Sequence, residues 1–291
     1  MVLNCLMVAA NYGATVNWTP LNLTVRVGCN MAYETTVPTA VLFVLKPRIE
    51  SKVLVLQEKL SFGIGLPSYE FQDTHGNMMY RCLLMPGRNE IRHDALVAVS
   101  SLPDSRDVRH QMVPVGELPW ELLRYTLPSR YCDSDKLLNF AWNHFGQIAN
   151  GLPRVQAICD WVHNKVTFGY HHARPSKTAL DVYTERVGVC RDYQHLAITF
   201  CRALNIPARY ATGYLGDIGV PLRLPMDFSA WFEVYLDGQW WVFDARNNVP
   251  RLGRVLMAVG RDASDVAMTT SFGIANLTGF KVVSEEEAAR I

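Results

Sequence analysis

The chain has 291 residues, 49% of them apolar and 19% charged, with a formal net charge of +1. That length suits two domains, and the apolar share supplies a sizeable core and argues against disorder. The near-neutral balance excludes electrostatic capture of nucleic acid or of an anionic membrane, and no apolar run is long enough for a transmembrane helix.

Residues 1–20 read as an extension. Its start, "MVLNCLMVAANYGA", has no Lys or Arg ahead of the apolar part. That makes a poor signal peptide, so a cytoplasmic location is expected. The seven cysteines are Cys5, Cys29, Cys82, Cys132, Cys159, Cys190 and Cys201. They form no C-x-x-C pair, which argues against a zinc site or a disulfide framework and for thiols in a reducing compartment.

Residues 21–118 read as a β-rich module. Short apolar runs such as "LNLTVRVGCNMAY", "TAVLFVL" and "DALVAVSSL" alternate with turn-prone "KPR", "DTHGN" and "PGRNE". That spacing predicts an all-β, sandwich-like N-terminal domain. Residues 119–132 are a connector, and the pattern changes at 133. "SDKLLNFAWNHFGQIA" has helical spacing after a Ser or Asp cap, and "LPRVQAICDWVHNKV" has Pro153 near a helix start. "SKTALDVYTERVG" is a third helix that stops at Gly188, and "CRDYQHLAITFCRALN" is a fourth. Strand signals follow in "PARYATGYL", "SAWFEVYL" and "QWWVFDA". Residues 133–283 are therefore expected to be an α+β domain, a helix cluster on an antiparallel sheet, with 284–291 a frayed tail.

Cys190 opens the fourth helix, whose apolar stripe runs through Tyr193, Leu196, Ala197, Phe200, Cys201 and Leu204. At the first turn the thiol meets unpaired backbone N–H groups and the positive end of the helix dipole, which predicts a lowered thiol pKa. Arg191 would add to this, and the same N–H groups could serve an acyl oxyanion. The bland alternative is a small buried thiol.

Asp237-Gly238 between two aromatic-rich runs predicts a two-residue type I′ hairpin. Leu236 then pairs with Gln239, and Asp244 lies opposite Trp231. Position 229 becomes a diagonal neighbour of Asp244 on one face, within reach of a long side chain. Ser229 stands there, too short to cross the diagonal and unable to act as a base.

These segments resemble the transglutaminase-like superfamily, which includes bacterial candidate cysteine proteases with an N-terminal β-rich module. The family's "G-V-C-x-D" is matched by Gly188-Val189-Cys190-Arg191-Asp192, and an "IPARYATGYL" strand follows at 206–215. Its "H-A-W-x-E" is met by Ser229-Ala230-Trp231-Phe232-Glu233, and "W-x-x-x-D" by Trp240 to Asp244. The resemblance covers roughly residues 150–250 and implies a papain-like, transglutaminase-like core with no cofactor. Cys190 would be the nucleophile and Asp244 the orienter. The reaction would be acyl transfer or hydrolysis of a peptide or protein substrate with a glutamine-type amide, through a Cys190 thioester, to an amine or to water. The departure is Ser229 at the family's histidine position. Either the chain is a non-catalytic peptide- or protein-binding relative, or another histidine such as His195 acts as base, or the serine is an introduced change.

Other candidates have simpler readings. His171 and His172 stand in a loop ahead of the cysteine and are cleft candidates, as are Trp231 and Glu233. Trp240, Trp241 and Tyr235 suit either a groove or cross-strand packing. Asp192 suits capping. Cys159 and His163 have the i, i+4 spacing of a ligand pair, but no second pair accompanies them, so no metal is expected. No phosphate-cradling glycine loop and no EF-hand-like loop occurs.

Overall fold

A computed structural model describes residues 20–49, 52–63, 65–104, 110–222 and 224–287. The expected N-terminal extension with Cys5 lies outside them, apart from its last residue, as does the end of the tail. Alternation along β1 (Leu23–Thr35) sends Val25, Val27, Cys29, Met31 and Tyr33 inward and leaves Arg26, Asn30 and Glu34 exposed. β2 (Thr39–Phe43), β3 (Val53–Ser61), β4 (Ser68–Gln72), β5 (Met78–Leu84) and β6 (Gly87–Val99) complete the N-terminal strands.

The second half contains α1 (Leu138–Phe145), α2 (Leu152–Lys165), β7 (Thr167–Phe168), α3 (Ala179–Glu185), β8 (Val187–Gly188) and α4 (Cys190–Ala203). β9 (Ala208–Leu215), β10 (Phe228–Leu236), β11 (Gln239–Phe243), β12 (Arg254–Gly260), β13 (Thr269–Ser271) and β14 (Asn276–Glu286) follow. Three four-stranded antiparallel sheets result, in the orders β14-β1-β6-β3, β13-β2-β5-β4 and β11-β10-β9-β12. The architecture is α+β, with a helix cluster on the third sheet.

The first two sheets correct the expected boundaries. β14 pairs with β1 and β13 with β2, so the last strands belong to the N-terminal sandwich. Ser284, Glu285 and Glu286 lie inside β14, opposite Val27, Arg26 and Val25, instead of fraying. Pairing along a sheet edge satisfies backbone groups that a loose tail would leave to water.

α4 is the hub of the second half. It packs on β9 and β10, and α1, α2 and α3 pack on it. Leu196, Ala197, Phe200, Cys201 and Leu204 are buried as their spacing predicts, a large side chain contributing about 1.5–3 kcal/mol when fully buried. The opposite face is buried too, and most of its polar groups find partners, the Thr199 hydroxyl being an exception among the described residues. Arg202 donates to the Ala208 and Leu127 carbonyls and to Ser129, which ties the connector to the core.

Two expected helix ends differ. α1 begins after Leu137, which supplies no side-chain cap. α3 ends at Arg186 in the left-handed region (φ 61°), and Gly188 instead lies in β8, paired with Phe168. Gly188 is needed for proximity: a Cβ there would sit 2.7 Å from Asp192 Cβ.

Candidate active site

Cys190 is the first residue of α4 and is half-buried. The start of the helix is fastened by Asp192, whose Oδ2 accepts the Val189 N–H at 2.9 Å and whose Oδ1 accepts from Arg191 at 3.0 Å. The thiol differs from its expected state. Burial is the largest influence on it and raises its pKa; Arg246 opposes this, Asp227 adds to it, the Arg191 backbone N–H opposes it and Asp244 adds to it. The net shift is upward, so desolvation and two carboxylates outweigh the helix terminus and the guanidinium. The resting sulfur is a protonated thiol at neutral pH.

The hairpin has the expected register: Leu236 pairs with Gln239 and Phe232 with Phe243, and both turn residues have positive φ, Asp237 46° and Gly238 81°. β11 ends at Phe243, so Asp244 begins the loop that follows. Asp244 is 1% exposed and accepts five hydrogen bonds. Gln194 and the backbone N–H groups of Arg246 and Asn247 reach Oδ1, each at 3.1 Å, while Asn247 Nδ2 at 2.8 Å and Arg254 Nη2 at 3.1 Å reach Oδ2. Burial alone would raise this carboxyl, but the Arg254 charge and the donors of Asn247 hold it below the usual carboxylate range.

Ser229 is half-buried on β10 opposite Gly213, and its hydroxyl makes no hydrogen bond among the described residues. Gly213 is also needed for close approach, because a Cβ there would lie 2.1 Å from the Val255 carbonyl and 2.8 Å from the Trp231 ring.

All eight histidines have other engagements or positions. His75 meets Tyr125 and Asp265, His93 meets Tyr214 and Glu58, and His110 meets Asp237 and stacks on Trp241. His144 contacts the Phe140 carbonyl, and His163 Nδ1 lies 2.8 Å from the Arg246 carbonyl. His171 and His172 lie against each other with their rings tilted by 49° in the helical turn Tyr170–His172. His195 lies on α4 with its ring 5.1 Å from that of Tyr131, and its Nε2 accepts the Ala263 N–H at 3.1 Å. None of them is among the strongest influences on Cys190.

Burial drives His195 down to about 3, so it is neutral in the fold. Its folded pKa lies below the ordinary 6.5, so its contribution to stability is complete above pH 6.5 and is lost as pH falls towards 3. The upper limit of that loss is roughly 5 kcal/mol. His195→Gln keeps an acceptor for Ala263 without a titrating ring. Its unfolding free energy is expected to depend more weakly on pH between 6.5 and 4 than that of the native chain, as denaturant titrations would show. Parallel slopes would contradict this.

The remaining candidates are mostly structural. Trp231 is 1% exposed, covered by Arg254 at 5.1 Å from its ring centre, and forms no open cleft wall. Glu233 is buried and pairs with Arg209 at 2.6 Å, which accounts for it as an ion-pair partner. Arg209 also covers Trp240, whose ring meets Tyr235 and Tyr125 edge-on. Cys159 is buried, and no disulfide joins the described cysteines. Among the described residues no three potential metal ligands converge.

Sequence reasoning did not single out Asp227, Arg246 or Tyr170. Asp227 stands just before β10, two residues ahead of Ser229, and Arg246 stands two residues after Asp244. The Arg246 guanidinium lies 4.1 Å from the Phe168 ring centre, its N–H is held by Asp244 and its carbonyl by His163. Arg246 acts on Cys190, Asp227 and Tyr170 alike. The available signal was adjacency to the two motif strands.

The family model of the transglutaminase-like superfamily matches residues 143–245. A crystal structure of a candidate cysteine protease from Cytophaga hutchinsonii is 34% identical, covering 91% of this chain and 90% of that one, with a TM-score of 0.83. An uncharacterised protein of Mycobacterium leprae is 32% identical over 124 residues, a stretch spanning 40% of this chain and 44% of that relative. With the helix-start cysteine, the aspartate hairpin and the N-terminal sandwich already in place, these similarities mean that the chain belongs to the transglutaminase-like superfamily.

Proposed function

We propose that the chain carries out cysteine-dependent acyl transfer or amide hydrolysis, with Cys190 as the acyl-accepting thiol. The observation that carries this reading is the half-buried thiol at the first turn of α4, receiving the Arg191 N–H and facing Arg246. The acyl donor would be a peptide or protein with a glutamine-type amide, and the acceptor an amine or water. The cycle uses no cofactor. Scattered cysteines without disulfides among the described residues suit a reducing cytoplasm. No described helix is long and apolar enough to cross a membrane.

A second reading is favoured by the raised thiol pKa and by the histidines' other engagements: the cleft binds such peptides without turning them over. Ser229→His separates the two. On the acyl-transfer reading the native chain releases ammonia from a glutamine peptide, and the variant raises that rate at pH 7 by at least about tenfold. A silent native chain that gains turnover in the variant selects the binding reading. An unchanged rate in the variant would mean that position 229 does not serve the thiol.

A further inference from the structure

We propose that Gln194 is a positioning residue for Cys190: its carboxamide ties the first turns of α4 to β10 and to the Asp244 loop, and so holds the thiol in place for the acyl donor. This rests on the acyl-transfer reading above and adds a residue to it.

Three observations support it. First, Gln194 stands four residues after Cys190, so its side chain lies one turn along the same face of α4. It is fully buried. Second, both ends of the carboxamide are engaged. Nε2 donates to the Ala230 carbonyl at 3.2 Å and to Asp244 Oδ1 at 3.1 Å, while Oε1 accepts the Ala245 N–H at 3.1 Å. Two acceptors face the nitrogen and a donor faces the oxygen, so the amide fits in one orientation, and neither Glu nor Met offers the same groups. Third, these partners belong to the segments that carry the other motif positions. Ala230 follows Ser229 on β10, and Ala245 follows Asp244. Arg254 of β12 also holds Asp244 and is itself held by Asp104, so a bond to Asp244 refers the helix to the sheet. The other polar side chains in the first two turns of α4 reach elsewhere. Arg191 meets Asp192 and the Arg174 carbonyl, Asp192 the Val189 N–H, Tyr193 the Val166 carbonyl and His195 the Ala263 N–H.

Acylation is sensitive to such placement. Sulfur must approach the acyl carbon along one line, and a misplacement of about 1 Å can cost about 10²-fold in rate. Gln194 acts through the helix and the two segments it joins, not on the reacting atoms.

The test is rapid mixing of the full chain with the p-nitrophenyl ester of an acylated glutamine at several concentrations, read by p-nitrophenolate release and by mass of the Cys190 peptide. The ester C–O bond breaks as the S–C bond forms, releasing p-nitrophenolate and the thiol proton. Gln194→Met keeps the length of the side chain and none of its three hydrogen bonds. It should lower the saturating acylation rate constant by at least about tenfold, with the half-saturating concentration within about threefold of native. A role in stability alone predicts a smaller burst, from fewer folded chains, at the native rate constant. Gln194→Glu adds a pH signature. As a neutral acid it donates one proton and accepts the Ala245 N–H; as a carboxylate it repels Asp244. Burial and Asp244 both raise the introduced carboxyl, and its neutral form prevails on the acid side of that raised value. The variant-to-native ratio of rate constants should therefore be largest at pH 5 and fall as pH rises to 8. A native rate constant in Gln194→Met, or a Gln194→Glu ratio that does not change with pH, overturns the proposal. If Gln194→Met does not fold, the Gln194→Glu ratio decides. A native chain with no adduct on Cys190 overturns the acyl-transfer reading and this proposal with it. A native adduct that forms equally fast in both variants removes this proposal alone.

Discussion

Asp244→Ala is expected to lower the unfolding free energy by about 3 kcal/mol or more, measured by denaturant titration at pH 7. Five donors lose their acceptor, and Arg254, with a side chain 7% exposed, loses one of its two carboxylates. Asp104 still holds Arg254 Nε at 2.9 Å, so the guanidinium is not left alone and the cost belongs at the lower end of the range for a broken buried pair. The double variant with Arg254→Met removes the interaction between the two side chains only once, so it should lose less than the sum of the two single changes. The native pair also has a pH signature. The Asp244 carboxyl is held below its ordinary value, so its stabilisation is complete above that value and fades as pH falls through the folded one. A loss below about 1 kcal/mol in Asp244→Ala would mean that the hydrogen bonds around it are exchanged for water at little cost.

Cys190→Ser is expected to reduce release of ammonia from a glutamine peptide by at least about 10³-fold while leaving the fold intact. A serine hydroxyl fits the same space, but it ionises far less readily than a thiol, and neither Arg246 nor the Arg191 N–H makes up the difference. Circular dichroism and the unfolding midpoint should match the native chain closely, since Cys190 is half-buried at a helix start and not in the core. Residual turnover within tenfold of native would place the chemistry elsewhere.

Much of this arrangement was legible in the sequence because it rests on short-range rules. The Asp237-Gly238 turn fixed the hairpin register, and the 3.6-residue stripe from Tyr193 to Leu204 located α4 and put Cys190 at its start. Long-range features were hidden. Nothing local tells β13 and β14 to return to the sandwich, since a strand's pattern names its faces and not its partner. The apolar stripe of α4 says nothing of its other face, where Asp192, Gln194, His195, Thr199 and Arg202 are buried. Most of their partners come from distant segments, such as Ala230 and Asp244 for Gln194 and Ala263 for His195.

The site was legible in its motif positions and not in its electrostatics. Helix-terminus reasoning predicts a lowered thiol pKa, whereas burial and the carboxylates of Asp227 and Asp244 reverse the sign. Their influence depends on where two loops bring side chains together. Trp231 and Glu233 share a strand face with Ser229, but an arginine covers each of them: Arg254 above the Trp231 ring and Arg209 paired with Glu233.

The most direct measurement is intact-mass and peptide-mass analysis of the native chain after rapid mixing with the p-nitrophenyl ester of an acylated glutamine. An acyl-accepting Cys190 predicts a single acyl adduct on the Cys190 peptide, released by hydroxylamine and missing in Cys190→Ser. No adduct, or one on another residue with Cys190 unmodified, would contradict Cys190 as the nucleophile.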